Sequence, residues 1–215
     1  MNIQSIYRVV LPLFRRKRMR RFLEATKPTE VTRILDVGGY PGNWPEGLCP
    51  AQITIVNLDY SEDMAKGSRH QMMKGDGCNL QFADRSFDIV HSNSVIEHLS
   101  TFEQQKRFAA EVRRVGGQLW VQTPARWFPV EPHLITLFIH YLPKSWQRKL
   151  LRYFTIWGLL GKPSKRQIDD FLAEVRLLTF REMHLLFPDC EIQRERFLGL
   201  TKAYVAVRLE DSSKR

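Results

Sequence analysis

Short apolar runs alternate with polar, helix-like stretches from residue 31 to residue 123. This rhythm is typical of βαβ units and predicts a parallel sheet. The predicted strands cover residues 31–37, 52–58, 71–74, 86–92 and 118–123. The connections are predicted to hold a short helix at 43–48, a helix that begins after Ser61, and a helix from Ser100 to about Arg114. Ser61 and Ser100 are suited to capping these helices.

The last part of the chain has a different pattern. Residues 191–197 and 202–209 alternate apolar and polar positions around Gly199, which predicts an antiparallel hairpin. Helices are predicted at 167–176 and, from a capping box at 179–182, up to Phe187. The predicted fold class is therefore α/β: a doubly wound, mostly parallel sheet with a closing antiparallel hairpin.

An aromatic insertion, residues 124–165, interrupts the strand and helix rhythm. A long insertion after a sheet strand favours a lid that shapes a substrate site. A pair of helices packed on the sheet edge is the alternative. Its aromatic residues are Trp127, Phe128, Phe138, Tyr141, Trp146, Tyr153, Phe154 and Trp157.

The first residues are predicted to form a helix over 2–26, with a break or helix start at Pro12. Four consecutive cations at 15–18 follow a partial apolar stripe within it. The predicted domain organisation is a basic helical extension at 1–30 and one α/β domain at 31–215, with the lid at 124–165.

The positive charge is concentrated in two segments. Of the net charge of +10, residues 1–27 carry eight Lys or Arg against Glu24 alone, and residues 144–166 carry seven with no acid. Each segment is therefore +7, and the remainder of the chain is −4. A solvated helix face, an anionic membrane surface and nucleic acid are the alternatives for these segments.

Three scattered cysteines, Cys49, Cys78 and Cys190, have no C-x-x-C spacing. This count favours a reducing compartment and argues against a disulfide framework and a zinc site. We find no apolar run long enough to span a membrane and no secretory signal pattern. The expected location is the cytoplasm, and peripheral attachment to the inner face of the membrane is a further hypothesis.

A glycine turn follows the first predicted strand, and acids end three strands in succession. The turn reads Gly38-Gly39-Tyr40-Pro41-Gly42, and the acids are Asp36, Asp59 and Asp76. Tyr40 and Asn43 break the dinucleotide fingerprint G-x-G-x-x-G. Ligands of such sheets bind beyond the carboxyl ends of the strands, where these groups lie. A site formed by carboxylates and backbone amides, without a P-loop lysine, favours a nucleoside that carries positive charge.

Four stretches together resemble the class I S-adenosylmethionine-dependent methyltransferases, in particular the group with small-molecule and quinone-precursor enzymes. They are ILDVGGYPG, VNLDYSEDM, GDGCNLQFADRSFDIVHSNSVIEHL and GGQLWVQTP, in the family's order and spacing. The resemblance covers residues 31–124 and implies a seven-stranded Rossmann-like sheet, methyl transfer and S-adenosylmethionine as cofactor.

The resemblance also implies roles for individual residues. Those expected to contact the methionine part, the ribose or the adenine of the cofactor are Asp36, Gly38, Gly39, Gly42, Asp59, Tyr60, Asp76, Gly77, Ser92 and Asn93. Tyr40 stands where the family usually has a third glycine, which would be strained if that position required a positive φ.

Candidates for the general base are His133 with the nearby Glu131, just after the fifth strand, and His98, after the fourth. An imidazole can take a proton from a hydroxyl at neutral pH, although a lone histidine is more often structural. Some quinone-related relatives bind a metal through a carboxylate-x-x-Glu-His pattern. Because Ser94 stands at the first carboxylate position, we expect no metal.

The expected acceptor is a hydroxyl on a small-molecule, lipid-linked or glycan-linked compound. An RNA methyltransferase is the second hypothesis, although strand four ends in HSNSV and lacks the Asn/Asp-Pro-Pro-aromatic pattern of amino-methylating nucleic-acid enzymes. A cofactor-binding protein without catalysis is the third. The sequence leaves the oligomeric state open.

Overall fold

The computed structural model describes residues 16–131 and 133–209, so the predictions for residues 1–15, including the helix start at Pro12, lie outside it. Seven strands form one sheet in the order β3-β2-β1-β4-β5-β9-β8. Their bounds are β1 Arg33–Val37, β2 Gln52–Asn57, β3 Gln71–Lys74, β4 Phe87–Asn93, β5 Gly116–Pro124, β8 Glu191–Phe197 and β9 Leu200–Arg208.

The predicted fold class is confirmed. The five neighbouring strands β3, β2, β1, β4 and β5 pair in parallel. Strand β9 is antiparallel to both β5 and β8. The chain order reverses between β1 and β4, so this is the switch point at which open α/β sheets bind ligands.

Each face of the sheet carries its own core because successive side chains of a strand point to opposite faces. Leu35, Val90 and Val121 pack on the face that carries helix α3, Phe102–Val115, which we call the α3 face. Ile34, Ile89 and Trp120 pack on the opposite face, which carries helix α1, residues 16–26, and which we call the α1 face.

Residues 16–26 form helix α1 and lie on the α1 face. Phe22 is fully buried there, with its ring 5.8 Å from Trp120 and 4.9 Å from His91. The remaining helices are α2 Glu62–Ala65, α3 Phe102–Val115, α4 Lys144–Phe154, α5 Ile156–Gly161, α6 Lys165–Glu174 and α7 Phe180–Leu186. The division of the chain at residue 30 stays a prediction.

The helix caps follow from local sequence. Ser61 caps α2, and a capping box of Thr179 and Glu182 opens α7, as predicted. For α3 the predicted cap is wrong by one residue: Thr101 and Gln104 form the box, not Ser100 and Glu103. The sequence fits the box pattern in both registers, so spacing alone does not select between them.

The helix predicted at 43–48 is also wrong. The connection from β1 to β2 contains only a 3₁₀ turn at Pro41–Asn43. Proline suits the first position of this turn, but Pro45 lacks an N–H and disfavours a helical conformation at Trp44. Trp44 instead inserts into the α1-face core, where it is 2% exposed.

The insertion after β5 forms a small unit with its own core. It contains a two-stranded ribbon, β6 Val130–Glu131 and β7 Thr136–Leu137, followed by α4 and α5. This segment packs against α6, and the buried residues of the combined unit are Leu134, Ile139, Leu151, Ile168 and Leu172. Its role as a lid stays a prediction, and we keep lid as the name of residues 124–165. Among the described residues, no helix is long and apolar enough to cross a membrane.

Candidate cofactor and acceptor site

The glycine turn after β1 is built so tightly that two of its positions exclude a side chain. Gly38 has φ +76°, and a Cβ there would lie 2.4 Å from Val95 Cγ2. A Cβ on Gly39 would lie 1.8 Å from Asp36 Oδ2. A Cβ on Gly42 would meet nothing within 4 Å and would point into open space. The first two glycines are therefore required by packing, and the third leaves room for a ligand.

Tyr40 is compatible with this turn. Its φ of −134° and ψ of 151° are extended values that any residue adopts, so the strain considered for this departure from the family does not arise. The following Pro41 favours this conformation.

Asp36 lies inside the protein. Its Oδ2 accepts a hydrogen bond from Trp44 Nε1 at 2.7 Å, and its Oδ1 accepts one from His91 Nδ1 at 2.9 Å. Only 1% of the residue is exposed. The Asp36 side chain therefore fixes the conformation of the glycine turn, and its expected contact with the methionine part of the cofactor stays a prediction.

The loops after β1 and β2 are joined by Asn57, which the sequence prediction missed. Asn57 Nδ2 donates to Gly39 O at 3.0 Å, and Asn57 Oδ1 accepts from Asp59 N at 2.9 Å. This amide holds the backbone of Asp59 beside the glycine turn. The sequence feature that could have indicated this role is a polar residue at the end of an otherwise apolar strand.

The remaining predicted nucleoside contacts lie along the same edge of the sheet. Asp59 and Tyr60 follow β2, and Asp76 and Gly77 follow β3, its parallel neighbour. Both carboxylates are exposed, and Asp76 Oδ1 accepts from Cys78 N at 2.8 Å. A Cβ on Gly77 would lie 2.8 Å from the Phe108 ring, so this glycine lets the loop sit on α3.

A cavity of about 730 Å³ opens on the α1 face beside the glycine turn. Gly42 and Asn43 line one side of it, and Asn93 and Gln122, from the ends of β4 and β5, line another. Asn93 Oδ1 and Gln122 Nε2 are buried and have no hydrogen-bond partner among the described residues. Buried polar atoms are rarely left unpaired, so this pair is suited to a ligand with both a donor and an acceptor.

The side chain of Ser92 is not part of the lining of this cavity. Its Oγ donates to Val37 O at 3.0 Å and the residue is 1% exposed, so it ties β4 to β1 at the switch point. Its neighbour Asn93 lines the cavity, and the expected place of Ser92 near the amino group of the cofactor stays a prediction.

A second group of polar residues joins the loop after β4 to the ribbon of the lid. The rings of His98 and His133 are 4.9 Å apart, edge to face. Glu131 Oε1 accepts from His133 Nδ1 at 2.7 Å, and Glu174 Oε1 accepts from His98 Nδ1 at 2.8 Å. The structure thus brings together the two histidines that the sequence offered as separate candidates.

Glu97 lies at the centre of this group and is fully buried. Its Oε2 accepts from Thr123 Oγ1 at 2.9 Å, while Oε1 has no hydrogen-bond partner among the described residues. One ligand atom from each of Glu97, His98 and His133 lies within 4.8 Å of the others. We refer to these three residues as the Glu-His-His cluster.

The electrostatics of the cluster reflect its burial. Burial raises the pKa of Glu97, and the two neighbouring histidines oppose this only in part. Burial also disfavours the charged form of His133, but the hydrogen bond to Glu131 and the surrounding carboxylates outweigh it, so the pKa of His133 is raised. Counting the two partners Glu131 and Glu174, three carboxylates therefore surround two imidazoles here.

Residues 35–121 match the family described as Methyltransferase domain. The demethylmenaquinone methyltransferase of Corynebacterium urealyticum is 32% identical over 133 residues, which are 60% of this chain and 56% of that protein. The probable tRNA methyltransferase 9B of Mus musculus is 30% identical over 132 residues, 56% of this chain and 29% of that protein.

These matches support a class I S-adenosylmethionine-dependent methyltransferase, and the family model covers residues 35–121 of the 215. Solved structures agree with the fold. A SAM-dependent methyltransferase from Aquifex aeolicus aligns with a TM-score of 0.50 at 12% identity, over 88% of this chain and 87% of its own. The YcgJ protein from Bacillus subtilis aligns with a TM-score of 0.53 at 16% identity, over 84% and 71%.

The chain spans between about a quarter and a little over half of the length of the curated relatives that it matches. Family and fold imply S-adenosylmethionine as the cofactor. The unpaired amide atoms of Asn93 and Gln122 fit its methionine part, because an amino acid carries an ammonium donor and a carboxylate acceptor.

Proposed function

We propose that this methyltransferase transfers a methyl group to a hydroxyl of a small-molecule, lipid-linked or glycan-linked acceptor. The observation that carries the proposal is the Glu-His-His cluster, in which each imidazole is oriented by a carboxylate and can take a proton from a hydroxyl. The cavity beside the glycine turn, in which two buried amide atoms have no hydrogen-bond partner among the described residues, is the proposed site of the cofactor.

The chain's own residues divide the work of binding. We assign Asn93 Oδ1 to accept from the ammonium of the cofactor and Gln122 Nε2 to donate to its carboxylate, because both atoms are buried without a hydrogen-bond partner among the described residues. Asp59 is suited to accept from ribose hydroxyls, with Tyr60 beside the adenine and Asp76 and Gly77 at its far edge. When bound, the sulfonium supplies an activated methyl group, so the protein mainly aligns the acceptor with it.

Proton removal from a hydroxyl acceptor is assigned to the Glu-His-His cluster. It follows β4 and β5 at the carboxyl edge of the sheet, where the acceptor has to meet the methyl group. His98 and His133 are each held by a carboxylate, so their orientation is fixed before the acceptor arrives.

Calorimetry with S-adenosylhomocysteine tests the cofactor site. We expect Asp59→Ala to weaken binding roughly 10- to 100-fold, because two charge-assisted hydrogen bonds are lost at an exposed position. Asp63→Ala, an exposed acid on α2 paired with Lys66, is the matched control and should bind like the wild type. Equal affinity of wild type and Asp59→Ala would contradict the proposed ribose contact.

The acceptor class is tested by incubating the protein with methyl-labelled cofactor and with aqueous, lipid and RNA pools of a cell lysate. Label in a non-nucleic-acid pool supports the proposal. Label confined to RNA would replace it with the RNA methyltransferase hypothesis. Cofactor binding without label in any pool would replace the proposal with the hypothesis of a cofactor-binding protein without catalysis.

We further propose that the lid brings the enzyme to an anionic membrane surface. Trp146, Lys149 and Tyr153 share one stripe of α4, opposite the buried Gln147 and Leu151. Trp146 and Tyr153 are more than 60% exposed. Aromatic residues mixed with cations on the outer stripe of a helix are typical of interfacial membrane binding.

The distribution of positive charge on the lid and α6 supports the same proposal. No carboxylate pairs with Lys149, Arg152, Lys162 or Lys165 among the residues that the structure describes. In contrast, Arg148 pairs with Asp169 at 2.6 Å. The unpaired cations are the ones available to anionic lipid headgroups.

Vesicle flotation tests this proposal. We expect binding to phosphatidylglycerol vesicles but not to phosphatidylcholine vesicles, and at least tenfold weaker binding of the double variant W146S/Y153S. Leu185→Ser, which changes an exposed apolar residue on α7, is the control and should bind normally. Binding that is independent of anionic lipid, or unchanged in the double variant, would overturn the proposal.

A further inference from the structure

We propose that a second cavity, between the lid and α6, binds the acceptor through a phosphate ester that neighbours a free hydroxyl, as in a phosphorylated sugar or glycerol. This inference rests on the proposed function and names the class of its acceptor. The cavity holds about 570 Å³, a volume typical of small-molecule sites. We call it the lid cavity, and its lining includes Arg126, His140, Tyr141, Lys144 and Phe171.

The lid cavity lies next to the Glu-His-His cluster. Glu131, whose Oε1 accepts from His133 Nδ1 at 2.7 Å, is one of its lining residues. Arg176, another lining residue, donates its backbone N–H to Glu97 O at 2.7 Å. A molecule that fills the cavity therefore lies one residue away from the groups assigned to proton removal.

Two cations of the lining keep donors for a ligand. Lys144 Nζ donates to Leu172 O at 2.6 Å, and the guanidinium of Arg126 lies 5.6 Å from the centre of the Trp127 ring. Neither cation has a carboxylate partner among the residues that the structure describes. An ammonium carries three N–H donors and a guanidinium five, so most of these donors remain available.

The other charged groups of the lining already have partners. Arg176 pairs with Glu182, and Glu131 accepts from His133. The charge that the cavity offers to a ligand is therefore positive. A phosphate group has several acceptor oxygens around one atom and can bind two cations from different directions, whereas the two oxygens of a carboxylate lie in one plane.

His140 indicates a hydroxyl beside the phosphate. Its Nε2 carries the proton, because it donates to the carbonyl oxygen of Arg126 at 3.0 Å. Burial lowers the pKa of His140 and so favours the neutral ring. Nδ1 is then an acceptor, and it is buried without a hydrogen-bond partner among the described residues. Because an ionised phosphate ester has no proton to donate, a ligand hydroxyl is the group suited to Nδ1.

The walls of the cavity suit the carbon skeleton of such a ligand. Leu134 and Leu172 are buried in them, and Phe171 contributes an aromatic ring. Arg126 and Lys144 are exposed, so the phosphate group binds at the open side of the cavity. A soluble phosphate monoester and the phosphodiester of a lipid headgroup share this chemistry.

The test measures binding of soluble probes to the full chain by calorimetry in phosphate-free buffer. The probes are glycerol 3-phosphate, inorganic phosphate and glycerol. We expect one equivalent of glycerol 3-phosphate to bind at least tenfold more tightly than either of the others, because it alone offers both a phosphate and a hydroxyl.

A fourth probe distinguishes the two sources of the phosphate ester. Dihexanoyl phosphatidylglycerol, kept below its critical micelle concentration, represents a lipid headgroup. Tighter binding of this probe than of glycerol 3-phosphate would support the proposal with a lipid-linked acceptor, and the reverse order would support it with a soluble acceptor.

The variants separate recognition from folding. Lys144→Gln and Arg126→Gln should each weaken binding of glycerol 3-phosphate at least tenfold. Lys106→Gln, which changes an exposed lysine on α3 outside both cavities, is the matched control and should bind like the wild type. His140→Phe should narrow the difference in affinity between glycerol 3-phosphate and inorganic phosphate. Circular dichroism and calorimetry with S-adenosylhomocysteine confirm that each variant is folded.

The proposal is overturned if the wild type binds neither phosphate ester, or if it binds glycerol 3-phosphate no better than inorganic phosphate. It is also overturned if Lys144→Gln and Lys106→Gln lose binding equally. Methyl label on a phosphate-free hydroxyl compound, with no binding of either ester, would overturn this inference and keep the proposed function. Binding of an ester without methyl transfer in any lysate pool would support the phosphate site and count against the proposed function, so the two can fail separately.

Discussion

At the scale of single residues, the conformation of the glycine turn depends on the space that neighbouring side chains occupy. Asp36 is satisfied by Trp44 and His91 inside the protein, and Gly39 has no side chain because that carboxylate occupies the space. The acid and the glycine are therefore one structural unit. The proposed ligand contacts are those of Asn93 and Gln122, whose amide atoms have no hydrogen-bond partner among the described residues.

Gly39→Ala tests this unit. The added methyl group would meet Asp36 Oδ2 at 1.8 Å, so either the carboxylate leaves its donors or the turn moves. We expect a loss of about 2 kcal/mol or more in the free energy of unfolding and at least tenfold weaker binding of S-adenosylhomocysteine. Urea denaturation and calorimetry measure the two effects.

Gly42→Ala is the matched control in the same turn, because its added methyl group meets nothing within 4 Å. Its free energy of unfolding should stay within about 0.5 kcal/mol of that of the wild type. Similar losses of stability in both variants would show that the turn is sensitive to any side chain and that Asp36 is not the cause.

At the scale of elements, local sequence located the regular structure well. Strand β3 was predicted at its observed bounds, and the hairpin of β8 and β9 turns at the predicted Gly199, which has φ +80°. Periodicity and capping residues encode such features within a few positions. The prediction failed at 43–48, where two prolines and the insertion of Trp44 into the core exclude a helix.

The lid is the element whose stability is most separate from the sheet, because its buried residues form their own cluster. Leu151 is fully buried in it. We expect Leu151→Ala to cost about 2–5 kcal/mol and to open the lid locally. Hydrogen exchange should become faster over residues 144–161 and stay unchanged in β1 and β4.

Leu159→Ala is the control for the lid, since Leu159 is 60% exposed on α5. Its exchange rates should match those of the wild type. A uniform increase of exchange over the whole sheet in Leu151→Ala would indicate that the lid and the sheet unfold together.

At the scale of the whole molecule, an ion-pair clamp joins the ends of distant segments. Asp189 binds Arg113 at the end of α3, at 2.6 Å, and Arg208 at the end of β9. Arg208 also donates to Gly117 O at 3.0 Å. Partial burial works against ionisation of Asp189, but the two guanidinium groups outweigh it and its pKa is lowered.

The clamp predicts a pH dependence of stability. Since the pKa of Asp189 is lower in the folded chain than its unfolded value near 3.9, its contribution is present above about pH 4 and is lost as pH falls through the folded value. Asp189→Asn should lower the free energy of unfolding by roughly 1 kcal/mol at pH 7, a figure reduced for its partial exposure.

Urea denaturation at pH 7 and pH 3 measures this difference, which should shrink at the lower pH. Asp63→Asn is the control, because its pair with Lys66 is exposed and contributes little. A difference between wild type and Asp189→Asn that is constant with pH would contradict the assignment of the clamp to the ionised carboxylate.

The sequence by itself determined the succession of strands along the chain, the glycine turn and the acids Asp59 and Asp76 at the strand ends. These depend on the alternation of side chains, on backbone freedom and on short-range spacing, all of which can be read over a few residues. The sequence also named His98, His133 and Glu131, but with the two histidines as separate candidates.

Only the tertiary structure decided which side chains meet. It directed Asp36 into the core, brought the amides of Asn93 and Gln122 into one cavity, and placed His133 beside Glu97 and His98. Local pattern cannot specify these encounters because they depend on how the lid and the sheet pack together. The chemistry of this protein is therefore set where segments far apart in the chain converge.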